Sequence, residues 1–360
     1  MPFLQNSWYC ASWSKDLTSR PVGIRILDED LVIYRRADGV PVAMTGICPH
    51  RFAPLSLGKV DGDDIICGYH GLRFDPHGAC THNPHGKGMV PPRARLTPYP
   101  VEDRSGAIWV WMGDPEHANA SDILSFDFLT DTQAWAGFSG YLHINSNYQL
   151  VIDNLLDLTH AAYLHPNSVG VDPKLRGDRK LKYKFSVEDG VITSDYSVEG
   201  TPPSPLLRLW TDREIGDIYS PISLHLPSNL VLDLSMTDRG MARGTGSRMP
   251  SVHLIVPETE TSCHYFYALS RNGRLDDPAL SESMANIIRQ AFVDEDEPMI
   301  RAVHDAMRGR DFFALEPAIL ETDAAGLTAR RALAKLIKQE QAALKKSPAG
   351  PSDALTESLS

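Results

Sequence analysis

The sequence predicts an α+β protein in two parts: an all-β N-terminal domain over residues 1–115 and a larger α+β domain over 116–345. Three observations carry that expectation. The length, 360 residues, suits two domains. Short β-branched and aromatic runs punctuated by turn dipeptides fill the first third of the chain. Longer strand-like runs then mix with a few helical patterns.

In the first part, Leu31-Val32-Ile33-Tyr34 and Ala107-Ile108-Trp109-Val110-Trp111 read as strands. Asp38-Gly39, Asp61-Gly62 and His77-Gly78 read as turns, and Gly, Pro and His crowd residues 75–92 into a loop. Residues 116–140 read as a polar and aromatic connection. A helical pattern starts at Tyr148 and runs to Leu156. Strand-like runs follow at 181–198, 221–236 and 251–270, with helical patterns at 278–308 and 328–344. The tail over 346–360 is small and polar and is expected to be disordered.

A net charge of −11 argues against a nucleic-acid binder, which needs a basic face to neutralise phosphates. No apolar run approaches the roughly 18 residues of a membrane span, and the start lacks a signal-peptide layout. A soluble, cytoplasmic protein is expected. Cysteines number five, Cys10, Cys48, Cys67, Cys80 and Cys263. An odd count in a reducing compartment speaks against a disulfide framework.

Two of these cysteines have histidine neighbours. Cys48-Pro49-His50 is followed, sixteen residues later, by Cys67-Gly68-Tyr69-His70. Two Cys–His pairs on short loops can converge on one metal centre, with thiolates taking soft iron or zinc and imidazoles taking borderline ions. A structural zinc site is the alternative, but zinc fingers usually pair Cys with Cys and His with His along the chain. Alternating Cys-x-His and Cys-x-x-His is the spacing of a 2Fe–2S centre in which one iron takes both Cys and the other both His.

The second constellation is Asp153-Asn154-Leu155-Leu156-Asp157-Leu158-Thr159-His160-Ala161-Ala162-Tyr163-Leu164-His165. Asp153, Asp157 and His160 fall at i, i+4 and i+7, on one face of a continuous helix. Pro166 follows His165, so the helix is expected to loosen or end between the histidines, letting both reach one ion. The alternative is a solvated amphipathic face. The apolar company of Val151, Ile152, Leu155, Leu156 and Leu158 weighs against it, because carboxylates buried there need a partner or a metal. Two His and one carboxylate leave open positions on iron for dioxygen. Downstream, Phe292-Val293-Asp294-Glu295-Asp296-Glu297-Pro298 offers the carboxylates.

Cys48-Pro49-His50-Arg51 with Ala53-Pro54-Leu55, and Cys67-Gly68-Tyr69-His70-Gly71, resemble the two loops of Rieske oxygenases. The stretch from Asp157 to His165 resembles their Asp-x-x-His-x-x-x-x-His signature. Trp109-Val110-Trp111-Met112-Gly113-Asp114-Pro115 and Pro257-Glu258-Thr259-Glu260-Thr261 are similar to the aromatic O-demethylase group, which includes vanillate and dicamba demethylases and toluenesulfonate methyl-monooxygenase. The resemblance runs from Asn6 to about residue 340.

It implies a Rieske domain followed by a helix-grip-like catalytic domain. It implies a 2Fe–2S cluster on Cys48, His50, Cys67 and His70. It also implies mononuclear Fe(II) on His160, His165 and Asp296, with Asp294 and Glu295 as neighbouring alternatives. Asp157 would bridge an iron-bound His and a cluster His. Asn229 and His253 would hold a substrate carboxylate, and Ile287 stands where a relative has a ring-stacking tryptophan. Within one chain of this family the two centres lie too far apart for fast transfer. A head-to-tail homotrimer is therefore implied, with His70 of one subunit facing Asp157 and His160 of the next. A separate flavin and ferredoxin-type reductase drawing on NADH would supply electrons. Dioxygen would be the co-substrate and a methyl- or methoxy-bearing aromatic acid the substrate, a hydroxylated methyl ether collapsing to formaldehyde and a phenol. Sulfonate-methyl hydroxylation, N-demethylation, ring hydroxylation and desaturation use the same iron sites. A Rieske electron-transfer protein is the remaining alternative, and it leaves His160 and His165 unexplained.

Overall fold

Among the described residues every strand pair is antiparallel, so hairpins and tight turns set the architecture. The computed structural model describes residues 3–171, 174 and 181–346. The expected tail, from residue 347 onward, lies outside them. The N-terminal part is all-β, in three small sheets. Trp8–Trp13, Ala107–Trp111 and Val101–Arg104 form one. Val22–Ile26, Glu29–Arg35, Pro41–Thr45 and Pro98–Tyr99 form the second. Lys59–Asp61, Asp64–Ile66, Arg73–Phe74 and Cys80–His82 form the third. Val32, Tyr34, Met44, Leu55, Ile65 and Phe74 are fully buried between the last two sheets, and Cys48 and Cys67 belong to the same cluster.

The second part is a seven-stranded sheet. Its spatial order is Ala136–Ile144, Ser262–Arg271, Ser247–Thr259, Asn229–Thr237, Gly216–His225, Val191–Thr201 and Lys182–Glu188. The runs expected at 181–198, 221–236 and 251–270 are hairpins, turning at Asp189-Gly190, at Leu226–Ser228 and at Glu260-Thr261. Strand Ala136–Ile144 occupies part of the stretch expected to be a connection. Its glycines blur the period-two pattern, and one is required: a Cβ on Gly140 would sit 2.2 Å from the Tyr267 ring.

Side chains alternate across the sheet, so the register sorts them by face. Phe266 and His264 point to the N-terminal domain, where Trp13 packs edge-on against Phe266 at 6.3 Å and the Arg25 carbonyl pairs with His264 at 2.8 Å. Tyr265, Tyr267 and His253 point the other way, beneath the helices. The helices are Tyr148–Leu156, a rod from Pro278 to Met307, and Ala324–Lys346. The rod is α-helical over Pro278–Arg289 and Glu297–Met307 but π-helical over Gln290–Asp296. Arg330 clamps two helices together, donating to Asp153 at 2.8 Å and to Gln149 at 3.0 Å. Among the described residues no helix is long and apolar enough to cross a membrane, and all five cysteines are free thiols.

Candidate metal centres

The two Cys–His loops fold alike. Cys48 N–H donates to the Ala53 carbonyl and Phe52 N–H returns to the Cys48 carbonyl, at 2.9 and 3.0 Å. Cys67 N–H donates to the Leu72 carbonyl and Gly71 N–H returns to Cys67, again at 2.9 and 3.0 Å. The fourth residue after each cysteine is left-handed, Phe52 at φ 58° and Gly71 at φ 73°; that conformation costs glycine nothing. Each loop buries its sulfur and lifts its imidazole outward. Cys48 and Cys67 are 1% and 2% exposed, while the His50 and His70 rings meet at the rim with centroids 4.5 Å apart. Burial, with the Cys67 thiol alongside, pushes the Cys48 thiol up to about 11. A buried soft pair next to an imidazole pair at the rim, His50 exposed and His70 half-buried, fits residues that would hold a 2Fe–2S cluster of the Cys₂His₂ kind.

The second centre begins with a helix that stops early. Asn147 caps its start, accepting from Gln149 N–H at 3.0 Å. Asp157, at φ −111° and ψ 86°, ends it. The Asp157 carboxylate then starts a 3₁₀ turn, accepting from Thr159 N–H at 3.0 Å and from its hydroxyl at 2.6 Å. That turn carries His160. A short helix Ala161–Leu164 follows and ends at His165, at φ −118°. The chain therefore breaks first at Asp157 and again after Leu164, the second break lying between the histidines as expected. One continuous face for Asp153, Asp157 and His160 does not form, and Asp153 pairs with Arg330 instead.

His160, His165 and Asp296 converge. Their ligand-type atoms all lie within 4.8 Å of one another. Asp296 Oδ1 is 3.6 Å from His160 Nε2 and 3.0 Å from His165 Nε2. Both outer nitrogens are held from behind. His160 Nδ1 pairs with the Asp157 carbonyl. His165 Nδ1 pairs with Glu295 at 2.6 Å. Glu295 also accepts from the Ser168 hydroxyl at 2.7 Å and from Gln290 at 3.0 Å, and Asn154 donates to Asp296 at 3.0 Å. Ligating histidines are commonly fixed in this way by an acceptor on the far nitrogen.

The electrostatics agree. Burial alone would lower His165, but Asp296 and Glu295 outweigh it and hold its pKa above the ordinary value. Burial holds His160 below, against the pull of Asp296. Burial would raise Glu295, yet Ser168, His165 and Gln290 keep it below the usual carboxylate range. His165, set between two carboxylates, marks a space suited to a cation. Two imidazole nitrogens and one carboxylate facing one space fit a mononuclear Fe(II).

The remaining expected residues separate. Asp294 is exposed, whereas Asp296 is 7% exposed. The Asp157 carboxylate turns to Thr159 and, at 3.4 Å, to the Tyr196 hydroxyl, so its carbonyl rather than its carboxylate reaches His160. His253 is 2% exposed near the centre, its ring 6.0 Å from that of Phe292. Both its nitrogens are engaged, by the Ser251 hydroxyl at 2.9 Å and the Tyr265 hydroxyl at 2.7 Å. Burial lowers His253 to about 4, so it is neutral. Asn229 pairs across the sheet with Leu254, not with His253, and so projects from the opposite face. There it lines a cleft with Trp109, Trp111 and His225, and the two expected carboxylate holders do not share a site. Ile287 packs half-buried against the core. Asn154 and Ser168 are contributions that the motif spacing left unassigned, and Glu295, named as an alternative ligand, holds the far nitrogen of His165 instead.

Comparison with known proteins places this geometry in a family. Residues 7–100 match the Rieske [2Fe-2S] domain. Residues 144–339 match the vanillate O-demethylase oxygenase C-terminal domain. The chain is 39% identical to the oxygenase component of chloroacetanilide N-alkylformylase from Rhizorhabdus wittichii, over 94% of this chain and 97% of that protein. It is 36% identical to the oxygenase component of dicamba O-demethylase from Stenotrophomonas maltophilia, over 95% of this chain and 100% of that one. The crystal structure of dicamba monooxygenase bound to dicamba superposes with a TM-score of 0.85 at 35% identity, covering 94% of this chain and 99% of that one. The chain belongs to the Rieske non-haem iron oxygenases of the vanillate O-demethylase group, as the oxygenase component of a monooxygenase with a 2Fe–2S cluster and Fe(II).

Proposed function

We propose that this oxygenase removes an O- or N-linked alkyl group from an aromatic compound by hydroxylating the carbon next to the heteroatom. One observation carries the reading: in a chain that also bears the paired Cys–His loops, two histidines direct Nε2 at Asp296 while Asp157 and Glu295 hold their outer nitrogens. The named relatives act on an N-alkyl group and on a methoxy group. For a methyl ether, dioxygen, two electrons and two protons give the hemiacetal and water. The hemiacetal then loses formaldehyde, leaving the phenol.

In this reading Cys48 and Cys67 hold one cluster iron, and His50 and His70 the other. His160, His165 and Asp296 hold the mononuclear iron. The metals supply one-electron transfer and dioxygen activation when bound. The chain supplies the rest. Asn154 fixes the Asp296 carboxylate, Glu295 fixes His165, and the Asp157 carbonyl fixes His160. Tyr265, Tyr267 and Phe292 form an aromatic wall beside the iron site, with rings 5.0 to 5.8 Å apart.

Electrons come from a separate reductase, and an NADH-driven flavoprotein of the ferredoxin type suits the role. A head-to-tail trimer would bring the His50–His70 rim of one subunit to Asp157 of the next. Exposed apolar side chains near both ends support it: Phe52, Leu57, Tyr69 and Met89 on the first domain, and Tyr163, Ile319 and Leu320 on the second. The test is aldehyde release from methoxy- and N-alkyl-aromatic compounds with reductase and NADH. Asp296→Ala is expected to abolish release while the brown cluster persists. Release at the wild-type rate from Asp296→Ala would refute the assignment.

A further inference from the structure

Asp157 uses its two ends differently. Its carbonyl meets His160 Nδ1. Its carboxylate turns to Thr159 and Tyr196 instead, beside a cleft of about 100 Å³ that Asp157 lines with Phe312, Asp323 and Arg330. Three donors converge on one oxygen of that carboxylate. Thr159 brings two of them to Oδ1, its N–H at 3.0 Å and its hydroxyl at 2.6 Å. The Tyr196 hydroxyl is the third, sharing its proton between Oδ1 at 3.4 Å and the Leu156 carbonyl at 3.0 Å. Starting the 3₁₀ turn requires only the Thr159 N–H. The two hydroxyls go beyond that need, and one of them comes from strand Val191–Thr201, 39 residues downstream.

Tyr196 is rigidly placed. It is 2% exposed, and its ring lies 5.1 Å from that of Tyr183. Burial, with the Asp157 charge nearby, raises its pKa, so the hydroxyl stays a donor. Hydrogen bonds to an ionised acceptor are stronger than neutral ones. Donors from two separate elements on a single oxygen therefore stop the carboxylate from rotating and fix the direction of Oδ2. That direction matters to an electron crossing between chains, because tunnelling weakens steeply when a hydrogen-bonded link opens into a gap. We propose that Thr159 and Tyr196 are positioning residues for inter-subunit electron transfer. By pinning Oδ1 they aim Oδ2 of Asp157 at the histidine rim of the next subunit, and the Asp157 carbonyl completes the path to His160. The step moves one electron from the reduced cluster to Fe(III), giving oxidised cluster and Fe(II), with no bond made or broken. The proposal rests on the head-to-tail reading above.

The test needs no substrate. The iron- and cluster-loaded protein is prepared with both centres oxidised, and a flash of photoreduced deazaflavin reduces a small fraction of the clusters. Recovery of the cluster's visible absorbance then reports transfer to Fe(III). Thr159→Val keeps the N–H and loses the hydroxyl, and it is expected to slow recovery roughly tenfold. Tyr196→Phe leaves Thr159 untouched and removes a shared bond, so roughly threefold slowing is expected. Thr159→Ser restores the hydroxyl and is expected to regain most of the rate. The cluster's reduction potential, the nitric oxide adduct spectrum of the Fe(II) site and the sedimentation of the particle should stay unchanged in all three. Recovery at the unmodified rate in both Thr159→Val and Tyr196→Phe would overturn the proposal. So would slowing accompanied by an altered nitric oxide spectrum, which would mean that His160 had moved. No transfer in the unmodified protein, or equally fast transfer in Asp157→Ala, would instead count against the head-to-tail relay itself.

Discussion

His165 is gripped at both ring nitrogens by consecutive residues, Glu295 on Nδ1 at 2.6 Å and Asp296 on Nε2 at 3.0 Å. Asp296 is aimed at the metal space, whereas Glu295 looks away from it and is tied to Ser168 and Gln290. The two carboxylates therefore have different tasks, although they are chemically similar neighbours. Glu295→Gln keeps the shape but weakens the acceptor behind His165. Loss of such an outer partner typically costs about 10–100-fold in metal affinity. Competition for iron against a chelator is expected to show that loss, with the cluster's visible spectrum unchanged. Unaltered iron affinity in Glu295→Gln would mean that the imidazole is positioned by packing alone. His253 shows the converse case, a histidine whose residue type suggests anion binding but whose buried, doubly engaged ring has no nitrogen to offer.

Among the elements, the π-helical turn Gln290–Asp296 decides what the rod can present. Such turns insert one extra residue into an α-helix and recur at functional sites. Here the insertion lets Glu295 and Asp296 both address His165, although adjacent side chains on an α-helix diverge by about 100°. Deleting Val293, which is exposed, should restore α-helical winding and swing Asp296 off the site. Mononuclear iron is expected to be lost while helical circular dichroism is kept; retention of that iron would show that the π-turn is dispensable. This feature was not legible in the sequence, since a helical pattern over 278–308 looks the same with or without one extra residue. Other features were legible because they are local. The Cys–His spacings and the helix from Tyr148 rest on short-range pattern; resemblance singled out Asp296 among three acidic neighbours, and Asp296 is the one that lies beside both His160 and His165. Asn229 was misplaced for a long-range reason. Its face depends on the hairpin at Leu226–Ser228 and on pairing with Leu254, and a one-residue shift in register sends a side chain to the other side of a sheet.

At the scale of the whole molecule, the sheet separates two environments. The N-terminal domain packs on one face through Trp13 and Phe266, and the helices with the iron site cover the other. The rim histidines His50 and His70 belong to the first domain and Asp157 to the second, and in the proposed head-to-tail trimer the relay between centres runs from one copy of the chain to the next. Three chains per particle are expected in sedimentation, and Asp157→Ala is expected to keep its metals yet reoxidise its cluster far more slowly with substrate and dioxygen. A monomer at full activity would contradict the arrangement. The two-centre chemistry itself is tested most directly by metal content. Iron and acid-labile sulfide should be found at about three and two per chain, and His165→Ala should drop iron to about two while the reduced cluster's paramagnetic signal stays intact. Two irons per chain in the unmodified, fully loaded protein, or zinc in place of iron, would contradict it.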